Sequence, residues 1–142
     1  MSNIIKDITE ITRCGVQYRT DQLAPLGLKA CHGSYLTEVC AQPGISQEQL
    51  AKCICINKSN VARQVAILEE GGFLKRMPSW EDKRIMKLYP TQKTLDLLPK
   101  IMDIMDAWQD RLVKDLSEKE QELLEELLEK MRTRASDWME EQ

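Results

Sequence analysis

Residues 44–91 read GISQEQLAKCICINKSNVARQVAILEEGGFLKRMPSWEDKRIMKLYPT. Ser46-Gln47-Glu48-Gln49 has the form of a capping box: the Ser46 hydroxyl can accept from the amide three residues on, and Gln49 can reach back. Leu50, Ala51 and Ile54 give the short helix that follows its buried side. A turn at Cys55-Ile56 leads to Asn57, a good N-cap for a further helix running to about Glu70. On it Val61, Val65 and Leu68 recur at i, i+4 and i+7, one buried face. Lys58, Ser59, Asn60, Arg63 and Gln64 crowd its start and outer side. Gly71-Gly72 closes it, as glycine after a helix should. The hydrophobic period then changes, and residues 73–77 and 84–89 read as two short strands around a polar tip at 78–83.

Outward from this stretch the chain reads as helix. Residues 4–21 carry Ile4, Ile5, Ile8, Ile11 and Val16 roughly along one face. Residues 24–28 break that helix, and a second is expected near 29–42, with Cys31, Tyr35, Leu36, Val39 and Cys40 as its stripe. Gln42-Pro43-Gly44 stops it. After the strands, Thr91 can cap a long helix to about Lys114, which either bends at Pro99 or is split by it. Ser117-Glu118-Lys119-Glu120 is a second capping box, opening a last helix to about Trp138. Leu123, Leu124, Leu127, Leu128 and Met131 form its apolar stripe.

With 142 residues, 42% hydrophobic and 30% charged, one helix-rich globular domain is expected. No apolar run approaches the ~20 residues that would span a bilayer, and residues 1–13 lack the apolar core of a signal peptide. The protein is therefore expected to be cytoplasmic, with no membrane partner. Five cysteines at positions 14, 31, 40, 53 and 55 do not form a secreted disulfide framework. The net charge of −3 is unevenly laid out. Residues 52–93 hold nine Lys/Arg against four acids, whereas residues 103–142 hold six against thirteen. An acidic chain with a compact basic middle can address a polyanion with one surface only.

A short helix, a turn, a polar-fronted helix and a basic two-stranded hairpin make the layout of a winged helix-turn-helix. A helix fits the DNA major groove, where its N-terminal side chains reach base edges. Asn57, Lys58, Ser59, Asn60, Arg63 and Gln64 offer phosphate donors and base readers at that end. Lys83 and Arg84 sit at the hairpin tip, where an arginine can enter the narrow minor groove. Asp82 beside them suits holding a basic neighbour in place.

The quoted run resembles the DNA-binding core of the MarR family of bacterial winged helix-turn-helix transcriptional regulators. The likeness rests on the Ser46 helix start, Leu50-Ala51, Lys58-Ser59, Arg63, the Leu68-Glu69-x-x-Gly72 ending and the Asp82-Lys83-Arg84 wing, and it covers about 28–94. It implies a mainly α fold with a small β-hairpin wing. Residues 29–92 would form the DNA-binding lobe and residues 1–28 and 93–142 a helical dimerisation region, all within one domain, 1–142. The implied function is sequence-specific double-stranded DNA binding as a homodimer on a near-palindromic operator, as a ligand-responsive repressor. The chain departs from the family at Ile67, usually basic or polar, at Thr94, usually Gly, and at Trp80. Trp80 is expected to pack against the wing's own base, with the sugar-phosphate surface as the alternative.

The family's effector pocket lies where the first, second and fifth helices meet the DNA-binding lobe. Arg13, Tyr18, His32, Tyr35, Met105 and Trp108 are the candidates for stacking and hydrogen-bonding a small aromatic or phenolic acid. Plain core packing competes for Tyr35, Met105 and Trp108, and a satisfied imidazole for His32. Cys53, beside Lys52 and turned from the core by Ile54, is a candidate redox thiol, with Cys14 a second. Cys55 sits in the turn, where Gly or Asn would be easier on the backbone. Cys53 and Cys55 could supply at most two soft ligands, and His32 is not at zinc-motif spacing, so neither metal nor cofactor is expected. One histidine, no phosphate loop and no nucleophile elbow argue against an enzyme. The alternatives are a thiol-based redox regulator of this fold and a protein-interaction module that does not bind DNA.

Overall fold

The computed structural model describes residues 3–142. Helix α1, Ile4–Leu23, is capped by Asn3, whose side chain accepts from the Lys6 amide at 3.1 Å. A 3-10 turn, Ala24–Leu26, ends on Gly27, whose φ of 80° is the left-handed turn that glycine makes without steric cost. Helix α2 spans His32–Ala41 and starts three residues later than its sequence pattern suggests. The reason is local: the Leu28 amide donates back to Leu23 O, and the Lys29 amide donates to the His32 ring. These bonds hold residues 28–31 in a turn ahead of the helix.

The central stretch folds as its capping residues predict. Strand β1, Ile45–Ser46, leads into helix α3, Gln47–Ile54, through the reciprocal Ser46/Gln49 capping box. Helix α4, Lys58–Glu70, begins at Asn57, whose side chain accepts from the Asn60 amide at 2.8 Å. Strands β2, Leu74–Pro78, and β3, Met86–Pro90, form the hairpin. The two residues of β1 add a third strand, giving the order β1-β3-β2, all antiparallel, with Ile45 opposite Leu88.

Leu36, Leu50, Val61, Val65, Leu68 and Leu88 are essentially fully buried in one cluster. Each such aliphatic side chain contributes about 1.5–3 kcal/mol of burial. Glu69 then fastens the wing to the last turn of α4. Its carboxylate accepts the Arg76 amide at 3.1 Å and the Arg76 guanidinium at 3.1 and 2.9 Å. Those bonds hold the carboxyl below the usual glutamate range.

Helix α5, Gln92–Leu112, continues through Pro99. Proline forfeits one helical hydrogen bond, but Thr94 on one side of it and Ile101 and Ile104 on the other are buried. The Thr94 hydroxyl donates to Phe73 O and that of Thr91 to Gly72 O, both at 2.6 Å, which stitches the start of α5 to the turn between α4 and β2. Burial thus resolves the choice at Pro99 in favour of one helix.

The chain divides into two units, Met1–Trp108 and Gln109–Gln142. The second is dominated by helix α6, Glu118–Glu140, opened by the Ser117/Glu120 capping box. None of its residues is buried, and Leu123, Leu127, Leu128 and Met131 are all exposed. Ile4, Ile5, Ile8, Ile11 and Val16 of α1 are exposed as well. No helix among the described residues is long and apolar enough to cross a membrane.

Candidate nucleic-acid interface

The turn between α3 and α4 is set by Cys55, which caps α3 at φ 56° and ψ 45°. It is the one non-glycine residue at positive φ among those described. Left-handed backbone costs an L-residue about 1–2 kcal/mol, from which glycine is exempt. Cys55 is also exposed, so its side chain adds little packing in return. Cys55→Gly is therefore expected to raise the unfolding free energy by about 0.5–1 kcal/mol. A urea melt reads this, and a lower midpoint at unchanged slope would count against the assigned turn.

From this turn α4 presents its polar start. Asn57 is engaged by its own helix: its carboxamide oxygen also accepts the Ser59 hydroxyl at 2.9 Å. Asn60 accepts from the Arg63 guanidinium at 3.0 Å, which lays Arg63 along the exposed face. Lys58 reaches across to Glu48 on α3 at 2.8 Å, with both side chains well exposed. This hydrogen bond and the lysine charge lower the Glu48 carboxyl's pKa. Exposed pairs of this kind are weak and exchange readily for a stronger anion. Gln64 is the exception among the six candidates on α4. It is half-buried and its amide oxygen turns to His32 on α2, 2.9 Å from Nε2.

At the wing, Asp82 holds Arg84 in a fork. One carboxylate oxygen accepts Nε at 3.1 Å and the backbone amide at 3.0 Å, and the other accepts Nη2 at 3.0 Å. The bonds depress the Asp82 pKa and raise that of Arg84. Arg84 nonetheless stays 91% exposed, so the fork aims the cation without covering it. Lys83 beside it is exposed. Trp80 is fully exposed, so the expectation that it packs on the wing's own base is corrected. The Ser79 amide donates to Ile85 O at 2.7 Å and Ser79 is buried, which turns the next side chain outward.

A cleft of about 200 Å³ joins the two halves of this surface. Its walls are Ser46, Gln47 and Glu48 at the start of α3, Lys58 at the start of α4, and Arg84, Ile85 and Met86 on the wing. Lys58 and Arg84, 26 positions apart in sequence, thus line one opening. Sequence reasoning missed Gln47 and Glu48 here, because the contact depends on how the wing folds back over α3.

The effector candidates fall into two groups. Tyr18 and Trp108 stack with ring centroids 5.0 Å apart, over the buried Gly15. His32 and Tyr35 meet edge-on at 6.3 Å. Met105 Sδ lies close against Gly33, 3.2 Å from where a Cβ would stand. Arg13 is exposed and joins neither group, since the helix period puts it about 160° around α1 from Gly15. The Tyr35 hydroxyl is buried with no hydrogen-bond partner among the described residues. Burial, reinforced by Cys31 and opposed by Arg63, pushes its pKa up. An unpartnered buried hydroxyl costs stability, so Tyr35→Phe is expected to stabilise the free protein by about 1 kcal/mol. Calorimetry checks the sign. Cys14 and Cys53 are exposed free thiols, and Cys40 is half-buried with its pKa raised by desolvation. Among the described residues no three His, Cys, Asp or Glu side chains converge as metal ligands would.

A helix-turn-helix with an arginine-tipped wing and a shared cationic cleft defines a winged-helix regulator of transcription. The MarR family pattern matches residues 32–86. The structure is similar to that of the transcriptional regulator SlyA, with a TM-score of 0.95 and 30% identity over 98% of each chain. It is also similar to a MarR family transcriptional regulator from Listeria monocytogenes complexed with 26mer DNA. There the TM-score is 0.92 and the identity 26%, over 96% of this chain and 91% of that one. By sequence it is 28% identical to the HTH-type transcriptional regulator YybA of Bacillus subtilis (strain 168), over 97% of this chain and 93% of that protein. The chain belongs to the MarR family of transcriptional regulators, which are not enzymes.

Proposed function

We propose that this chain is a cytoplasmic, homodimeric repressor that binds a near-palindromic double-stranded DNA operator. The observation that carries the reading is the cleft lined by both Lys58 and Arg84. One cation sits at the start of a helix sized for the major groove and the other on an exposed wing. Helix N-terminal amides add to the attraction for phosphate. Lys58, Ser59, Asn60 and Arg63 face the duplex, while Arg84, with Lys83 beside it, reaches the minor groove. The exposed apolar faces of α1 and α6 are what a second copy would bury. Two-fold symmetry then spaces the half-sites about one helical turn, ~34 Å, apart.

Selection of bound fragments from a genomic pool tests this. One enriched near-palindrome is expected, held about 10³-fold or more tighter than random DNA at physiological salt. A pool in which no fragment outcompetes random DNA would refute operator binding and favour a protein-interaction module.

Control by a small aromatic or phenolic acid at the half-buried Tyr18–Trp108 group fits its stacked rings. A thermal-shift screen with phenolic acids reads it. Exposure of Cys53 near the α3–α4 turn favours thiol control as a second reading. Peroxide titration of the selected complex with wild type and Cys53→Ser separates the two, because identical responses would eliminate Cys53.

A further inference from the structure

The resemblance offers His32 as an effector contact against the competing reading of a satisfied imidazole, and Gln64 as a base reader; the two side chains are bonded to each other. The Lys29 amide donates to His32 Nδ1 at 3.0 Å. A ring nitrogen that accepts from an amide carries no proton, so the hydrogen of the neutral ring sits on Nε2. Nε2–H therefore donates to Gln64 Oε1 at 2.9 Å. The ring is only 2% exposed, and both of its nitrogens are satisfied. With its oxygen taken inside the protein, Gln64 keeps only its NH₂ group for a partner. Its two N–H groups can still donate, but the oxygen, turned inward, is not presented for the two-bond contact to adenine, which needs it to accept from the base.

Resting on the DNA-binding reading above, we propose that His32 is a positioning residue for DNA recognition. It holds Gln64 of α4 with the amide oxygen turned inward, and protonation of the ring breaks the bond from Lys29 while it keeps the one to Gln64. Protonation places a hydrogen on Nδ1 facing the Lys29 N–H, so the bond between them is lost. It also puts a cation on the first residue of α2, where the helix amides already carry partial positive charge.

The surroundings favour the neutral ring. Lys29 lies on the preceding loop, and Arg63 on α4 acts on the adjacent Tyr35. Arg19 of α1 reaches this corner to donate to Ala30 O, and α5 brings the uncharged Met105 against Gly33. The remaining titratable groups are the Cys31 thiol and the Tyr35 hydroxyl, on α2 and just before it. Burial lowers the His32 pKa below its ordinary 6.5, the bond to Gln64 opposes this, and Lys29 adds to it. A value lowered in the folded state means the neutral ring stabilises the fold at pH above about 6.5. That contribution is lost as pH falls through the lowered value.

His32 is the only histidine in the chain, so its ring resonances need no assignment. In ¹⁵N-histidine-labelled protein the Nε2–H tautomer is expected near neutral pH, with a titration midpoint below 6.5. Gln64→Ala should lower that midpoint further, because it removes an acceptor that favours the charged ring. The opposite tautomer, or a midpoint indifferent to Gln64→Ala, overturns the proposal. On a duplex selected by the wild type at about pH 7.5, His32→Ala should weaken binding about fivefold, and His32→Gln, whose NH₂ can still donate to Gln64 Oε1, should weaken it less. In the double-mutant cycle, His32→Ala with Gln64→Ala should lose no more than the worse single variant. Equal losses in His32→Ala and His32→Gln, or additive losses in the cycle, overturn the positioning role. A pool that yields no duplex overturns DNA recognition and His32's part in it, while the resonance experiment still decides the His32–Gln64 bond.

Discussion

Replacement of Arg84 by alanine is expected to weaken binding to the selected duplex by about 10–100-fold. The side chain is 91% exposed, so little of the fold depends on it, and the melting temperature should stay within a degree or two of wild type. Its charge, however, is delivered in a fixed direction by the Asp82 fork. An arginine already ordered loses less freedom on docking than a free one, which concentrates affinity at this position. In the proposed dimer, which carries two wings, the salt dependence should flatten by about two counterions, one per lost cation. Asp82→Asn separates aim from charge. It leaves the guanidinium in place, so its salt slope should match wild type while affinity falls by a smaller factor. Gel shifts over a salt series measure both quantities. Undiminished binding by Arg84→Ala would remove the wing from the interface.

The second large effect is expected on α6. Leu127→Glu combined with Leu128→Glu should convert the proposed dimer to monomers and weaken binding to the selected duplex by about 100-fold or more. The two leucines are exposed in the single chain, and α6 buries none of its residues. The substitutions therefore remove no core contact, and the helix should keep its far-ultraviolet circular dichroism. Two charges per chain cannot enter an apolar interface unpaired. DNA affinity falls with them because linked half-sites bind as one ligand, whereas a monomer has only a single lobe's contacts. Sedimentation equilibrium alongside gel shifts is the measurement. A wild type that sediments as a monomer, or a variant that stays dimeric, would refute the α6 interface.

Much of this architecture is legible in the sequence because it is decided locally. Ser46 with Gln49, Asn57, and Ser117 with Glu120 are caps whose partners lie three residues away, and each forms as read. Val61, Val65 and Leu68 face the core because helix period alone fixes their side. The left-handed Cys55 follows from the need to turn between two caps two residues apart. The features that were missed depend on distant residues. Strand β1 has two residues and exists only because β3 passes beside it. Trp80 is left uncovered because the Ser79–Ile85 bond turns it away from the wing's base.

Capping, period and charge thus determined the helix-turn-helix, the wing and the basic surface, since each depends on neighbours within a turn or a hairpin. Tertiary structure alone decided which polar groups are available on that surface. Gln64 is drawn inward by a histidine 32 residues away, Asp82 aims Arg84, and the folded wing sets Arg84 across a cleft from Lys58. A hydrogen bond depends on angstroms between atoms, and for residues far apart in the chain only the packed core fixes those distances.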